Sequence, residues 1–324
     1  MKTIGILTSG GDAPGMNAAI RAVARTAFAN GLRVKGIRNG YDGLIKGDIY
    51  EMNVSTVADI IHKGGTVLGS ARSLEFKTPE GQAKALEVIK EYGIEGIVVL
   101  GGDGSFMGAN TLHNHGIKTM GLPCTIDNDM GYTEQTIGFS TAVETVIDAI
   151  GKIRDTSSSH GRGNVIEVMG RHCGDIALYA GLCGGAESIL VPEIPIDMKQ
   201  VIEKVKRGKQ RGKLHHIIVV AEGVTIDGDL TSYDIAKKVE EETGVEARVT
   251  VLGHVQRGGT PSAQDILLAN KLGTRAVELI IEGKSGLAVG LKGGQTYALP
   301  IPEAVEKKHK FDTELYTISS ILSN

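Results

Sequence analysis

The chain has 324 residues, enough to bury a large core and to form two domains. Of these 45 are glycine, about twice the average share of roughly 7% and without a collagen period, so many tight turns and close backbone approaches are expected. A formal net charge of only -3, with Lys and Arg spread along the chain, argues against a nucleic-acid or membrane-surface protein held by bulk electrostatics, and the expected partners are small molecules.

The first element, "TIGILT", is a short apolar run that ends at "SGGDAPGMN", which is neither a signal-peptide core nor a cleavage site. "GMNAAIRAVARTAFANG" follows as a helix closed by glycine. "LRVKGIR" and "EGIVVL" are the next strands, the latter running into "GGDGS", and "KTMGL" runs into "PCTIDND". "STAVETVIDAIGKIRDTSSSH" opens with Ser140 and Glu144 as a long crossover helix. "NVIEVM", "HIIVVAEG" and "RVTVLGH" are later strands. These runs are apolar on successive residues rather than alternating, so they read as strands buried on both faces of a parallel α/β sheet covered by helices. No apolar stretch approaches the roughly 20 residues that span a bilayer. Cys124, Cys173 and Cys183 lack CxxC spacing, so neither a disulfide framework nor a zinc site is expected, and a reducing cytoplasm fits.

Ligands of open α/β sheets bind beyond the carboxyl ends of strands, so the residues after each run matter most. "SGGDAPGMN" and "GGDGS" are glycine loops running into helices, where exposed N–H groups and the helix dipole can hold a phosphate. Both carry Asp, as does "PCTIDND". Carboxylates beside a phosphate cradle repel the anion unless a cation intervenes, so Asp103 with Asp129 is expected to recruit Mg²⁺. Phosphoryl transfer to an alcohol also needs a proton acceptor, and Asp127 is the candidate. Each loop alone is also compatible with an ordinary turn, and Asp-x-Asp with an Asx turn. The chain has no GxxxxGK[ST] and no GxGxxG order in its first loop, which disfavours a P-loop enzyme and a Rossmann dehydrogenase.

Arg171, Arg248, His254 and Arg257 lie after strands, and Arg162 lies in a loop. Converging on one cleft they would bind a phosphorylated substrate; singly, each is equally compatible with a structural ion pair. Glu222, closing "IIVVAEG", suits sugar hydroxyls. Arg21 and Arg25 form a like-charge pair one helical turn apart, and "KRGKQRGK" adds further cations; a solvated face or a second anion site would account for them.

Taken together, "GGDAPGMNAAIRAVAR", "GGTVLGSAR", "LGGDGS", "TIDND", "TIGFSTA", "EVMGRHCGD" and "VLGHVQRGG" resemble the bacterial ATP-dependent 6-phosphofructokinase family, in order from the N-terminus to about residue 290. The resemblance implies two Rossmann-like three-layer domains with mainly parallel sheets. Residues 1–138 with about 256–304 would bind ATP, and about 139–255 with 305–324 would bind fructose 6-phosphate. It implies ATP contacts at Gly11, Arg72, Ser73, Gly102, Asp103, Gly104 and Ser105, and Mg²⁺ at Asp103 with Asp129. Asp127 would be the base for the sugar 1-hydroxyl, with Thr125, Arg171, Gly11 and Arg72 at the transferring phosphoryl group. The sugar phosphate would meet Met169, Gly170, Arg171, Glu222, His254 and Arg257, while Arg162 and Arg248 reach in from a neighbouring subunit of a homotetramer. An interface site for ADP or phosphoenolpyruvate would comprise Arg21, Arg25, Asp59, Arg154, Gly185, Glu187, Arg211, Lys213 and His215.

The chain departs from the family pattern in three places. Cys124 replaces the usual glycine before "TIDND", where pyrophosphate-dependent relatives carry Lys; those relatives also carry Asp in place of Gly104. ATP is therefore the expected donor, with a pyrophosphate-dependent kinase and a non-catalytic nucleotide sensor as rivals. Leu214 replaces a cation of the effector segment, which predicts weakened effector binding. Ile266 stands after Asp265 where Arg is usual, a difference expected to concern packing.

Overall fold

The computed structural model describes residues 1–226 and 230–323. In chain order its strands are β1 (Thr3–Thr8), β2 (Arg33–Ile37), β3 (Ile49–Met52), β4 (Gly96–Gly101), β5 (Lys118–Thr125), β6 (Ile137–Gly138), β7 (Gly163–Val168), β8 (Ser188–Leu190), β9 (His216–Ala221), β10 (Ala247–Val251), β11 (Leu287–Lys292) and β12 (Gln295–Pro300). By packing, the chain divides into two units. One comprises Met1–Ile126, Met130–Thr141 and Arg257–His309, and the other Asp127–Asp129, Ala142–Gln256 and Lys310–Asn324.

The first unit is built on a sheet of order β12-β11-β5-β4-β1-β2-β3, with β6 paired to β5. Its centre is parallel: β1 pairs with β2 and β4, and β4 with β5. Every residue of β1 and of β4 is buried, as continuous apolar runs between helices require. The two ends are antiparallel, β3 against β2 and β12 against β11. The helix Met16–Ala29, the expected first crossover, packs along Ala263–Ile281. That second helix begins at Ser262, whose Oγ accepts from Asp265 N at 3.2 Å.

The second unit has a four-stranded parallel sheet of order β10-β7-β9-β8. Its core gathers Val165, Leu190, Val205, Ile218, Ile235 and Val239 between sheet and helices. The helix Phe139–His160 matches the second expected crossover.

Two expectations are corrected. "RVTVLGH" reads as a strand buried on both faces, yet no residue of β10 is fully buried. Among the described residues β10 pairs with β7 alone, and an edge strand lacks the second neighbour that covers its flank. "HIIVVAEG" reads as strand to its end, but β9 stops at Ala221 and Glu222 starts the short helix Glu222–Ile226. Among the described residues no helix is long and apolar enough to cross a membrane.

Candidate active site

In the first unit two loops converge at the carboxyl ends of β1 and β4. Ser105 Oγ donates to Ser9 O at 3.0 Å, Tyr41 OH donates to Ser105 O at 2.6 Å, and Ser70 Oγ bonds Gly10 O. Gly101 permits this approach: a Cβ there would lie 2.4 Å from Ser105 Oγ and 2.5 Å from Ser9 O. By contrast, a Cβ at Gly102 or Gly104 would meet nothing within 4 Å, so open space lies over the first turn of the helix Asp103–Asn114. Open space beside a helix N-terminus suits a phosphate.

Gly11 of the first loop lies against Arg257, whose Nη1 would be 2.8 Å from a Cβ at that position. The same Nη1 donates to Asp12 O at 3.1 Å. An arginine expected at the sugar phosphate is thus joined to the first glycine loop. Ser73 Oγ accepts from Phe76 N at 3.2 Å, and Arg72 is exposed. Thr125 ends β5, where its carbonyl accepts from Thr136 Oγ1 at 2.7 Å.

In the second unit Asp127 is 1% exposed, and its Oδ2 lies 3.3 Å from Arg171 Nε. The Arg171 side chain is half exposed, so one guanidinium can meet a buried carboxylate and an arriving phosphoryl group. The turn that presents it is unusual. Arg171 has φ 54°, in the left-handed region, and Gly170 has φ 136°; a Cβ at Gly170 would lie 2.4 Å from Cys173 O. Glu222 Oε1 accepts from Arg171 N at 2.8 Å and from Gly170 N at 3.2 Å. Glu222 therefore holds the backbone of the turn, a task its expected hydroxyl-binding role does not include. Met169 N donates to Gln256 Oε1 at 3.1 Å. Asn128, also at positive φ, donates from Nδ2 to Asp175 Oδ2 at 2.8 Å. Asp129 occupies the same short segment of this unit, and His254 is exposed in the turn Gly253–Arg257.

Arg162 and Arg248 meet on one carboxylate: Arg162 Nε lies 2.8 Å from Glu246 Oε2, and Arg248 Nη2 pairs with Glu246 Oε1. Glu246, Gln256, Asp175 and Asp265 are not among the expected site residues. Gln256 and Asp175 do lie inside quoted motifs, which was the available signal.

The expected effector residues of the second unit also cluster. Lys213 pairs with Glu187, His215 Nε2 is 4.0 Å from the same oxygen, and Glu187 Oε2 accepts from Ile217 N. Burial holds His215 below the usual histidine range, with Glu187 opposing. Arg154 donates to Gly184 O and, at 3.4 Å, to Gly185 O. Arg211 caps the helix Met198–Gln210, and Leu214 is 62% exposed. Arg21 and Arg25 lie on the first helix of the other unit, which also carries Asp59 at φ 50°.

Cys124 is buried in β5, and burial, with Asp265 assisting, pushes its thiol far above the usual range. Cys173 is raised by burial in the same way, whereas Cys183 is exposed. Iodoacetamide at mildly alkaline pH is expected to modify Cys183 and spare the other two, because the thiolate is the reactive form. Peptide mass mapping of the native protein checks this; alkylation at Cys124 before unfolding contradicts it.

Residues 3–280 match the family model described as Phosphofructokinase. An ATP-dependent 6-phosphofructokinase of Finegoldia magna is 64% identical over 323 residues, covering 100% of both chains. Another, from Alkaliphilus metalliredigens, is 58% identical over 323 residues with the same coverage. A solved phosphofructokinase from Saccharomyces cerevisiae superposes with a TM-score of 0.88 at 35% identity over 100% of this chain and 47% of the yeast chain, so this chain spans about half the yeast chain's length.

Proposed function

The chain belongs to the phosphofructokinase family, and from that premise we infer that it is an ATP-dependent 6-phosphofructokinase, a glycolytic kinase that moves the γ-phosphoryl group of ATP to the 1-hydroxyl of fructose 6-phosphate. The observation that carries the chemical assignment is the buried Asp127 carboxylate beside a half-exposed Arg171. Asp127 accepts the proton of the 1-hydroxyl, and Arg171, with Thr125, balances charge on the phosphoryl group in flight. Little covalent work falls to the protein in such a transfer, so placement and neutralisation carry the rate.

ATP phosphates lie over the open turn at Gly102, Asp103, Gly104 and Ser105, with Gly11, Arg72 and Ser73 completing the cradle. Asp103 and Asp129 offer carboxylate oxygens, the donor type Mg²⁺ takes, and the space beside Gly102 and Gly104 supports a cation–phosphate pair there. Bound Mg²⁺ would neutralise charge on the β- and γ-phosphate oxygens. The sugar phosphate is read by Met169, Gly170, Glu222, His254 and Arg257. In the proposed homotetramer a neighbouring subunit adds Arg162 and Arg248. ADP or phosphoenolpyruvate would bind Arg21, Arg25, Asp59, Arg154, Gly185, Glu187, Arg211, Lys213 and His215. Exposed Leu214 supplies no charge there, so phosphoenolpyruvate inhibition is expected to be weak; strong inhibition at low micromolar concentration in an initial-rate titration contradicts this. A cytoplasmic setting suits an enzyme with three free thiols.

The test is a coupled assay for fructose 1,6-bisphosphate with Mg²⁺ and fructose 6-phosphate, run with ATP and with pyrophosphate. Turnover with ATP alone supports the reading, turnover with pyrophosphate moves the donor pocket to the rival class, and silence with both favours a nucleotide sensor. The donor assignment also predicts the behaviour of Gly104→Asp. The added Cβ meets nothing within 4 Å, so the variant folds, but a second anion enters the cradle. KM for ATP is expected to rise on the order of tenfold or more; an unchanged KM in steady-state kinetics removes Gly104 from the nucleotide site.

A further inference from the structure

A cavity of about 250 Å³ opens in the second unit, with neither Asp127 nor Arg171 among its lining residues. Its walls are β8, the segment 191–197, the start of the helix Met198–Gln210 and the C-terminal helix Thr313–Leu322. Ile189, Val191, Ile194 and Val201 make one side apolar, and Ser319 and Ser323 line it from the last helix and its C-cap, their hydroxyls donating to Tyr316 O at 2.7 Å and Ser320 O at 3.1 Å.

Among the lining residues Lys204 is the one Lys or Arg. Its Nζ donates to Glu187 O at 3.0 Å and to Ser323 Oγ at 2.8 Å. An ammonium has three donors, so one N–H remains beyond these neutral acceptors. Neither lining acid pairs with it. Glu187 binds Lys213 and Ile217 N, and Asp197 Oδ1 caps its helix by accepting from Gln200 N at 3.1 Å. Among the described residues Lys204 is thus a half-buried cation held by two neutral oxygens. Partial burial, with Arg207 assisting and Glu187 opposing, lowers its pKa.

We propose that this cavity is a binding site for a small aliphatic monocarboxylate, its carboxylate on Lys204 Nζ and its apolar body on Ile189, Val191 and Ile194. The volume lies below the roughly 300–1,000 Å³ of pockets for drug-sized ligands, which excludes nucleotides and sugar bisphosphates. One cation matches one negative charge, and the apolar wall favours a carbon chain over inorganic phosphate. The site is independent of the catalytic reading and shares one residue with the expected effector set, Glu187, whose carbonyl accepts from Lys204.

The probe is 4-methylpentanoate, titrated into the full-length protein by isothermal calorimetry beside the uncharged 4-methylpentan-1-ol. Saturable binding at millimolar or lower concentration with one site per chain is expected, and about tenfold weaker binding of the alcohol. Lys204→Met is expected to weaken the carboxylate by about tenfold or more while leaving the alcohol unchanged. Ser319→Leu, which fills the cavity without touching the cation, abolishes binding of both. Melting curves establish that each variant is folded. No binding by the unsubstituted protein, or equal carboxylate affinity in Lys204→Met, overturns the proposal. Because the readout is binding, either result stands whatever the kinase assay gives.

Discussion

Replacing Asp127 by Ser is expected to lower kcat by about 10²–10⁴ while the KM for fructose 6-phosphate moves little, the signature of a group that acts mainly in the transition state. A positioned base contributes a factor of that order. Asp127 is 1% exposed, so water does not readily take its place. The substitution also removes the partner of Arg171, which lies 3.3 Å away. Half exposed, that guanidinium retains solvent, and Glu222 still holds its backbone at 2.8 Å. The turn should therefore survive and leave binding largely intact. Initial-rate kinetics over both substrates decide the matter: near-normal kcat would falsify the assignment, and a large rise in KM alone would make Asp127 a binding group.

The second large effect concerns stability. Asp265 is 1% exposed, and its carboxylate accepts from Gly138 N at 2.9 Å, from Thr141 N at 2.8 Å and from Thr141 Oγ1. Ser262 Oγ approaches at 3.4 Å. Burial raises the carboxyl pKa, and these donors, led by Thr141, pull the other way. Asp265→Ala strands buried N–H groups with no acceptor, at about 1–3 kcal/mol for each. Asp265→Asn keeps one acceptor oxygen but turns a donor toward a donor, so a smaller loss is expected. Calorimetric melting of both variants ranks them. If Asp265→Ala melts with the parent protein, the network contributes nothing to the fold.

Much of the architecture was visible in the chain because uninterrupted apolar runs have few physical outlets other than buried parallel strands. The loops after β1, β4 and β5 stood out because glycine and aspartate directly follow buried runs, a pattern that fits ligand chemistry and equally an ordinary turn or Asx turn. β10 was misjudged because an apolar run carries no record of how many neighbours its strand has. Glu246 was invisible for a different reason. It meets Arg162 across 84 residues of sequence, and hydrogen-bond partnership at that range follows from strand order rather than spacing. Asp265 carries no role in the sequence reading, which assigns packing to its neighbour Ile266, whereas its carboxylate ties Gly138 and Thr141, more than 120 residues earlier in the chain.

The left-handed backbone at Arg171 sets two selective pressures against each other. A non-glycine residue at φ 54° carries about 1–2 kcal/mol of backbone strain, which glycine would relieve. Glycine would, however, take the guanidinium away from the 1% exposed Asp127 carboxylate, and removing one partner of a buried ion pair costs about 3–5 kcal/mol. A library at this position sorted only for heat resistance should therefore retain Arg171, so that selection for durability alone keeps the strained turn in place.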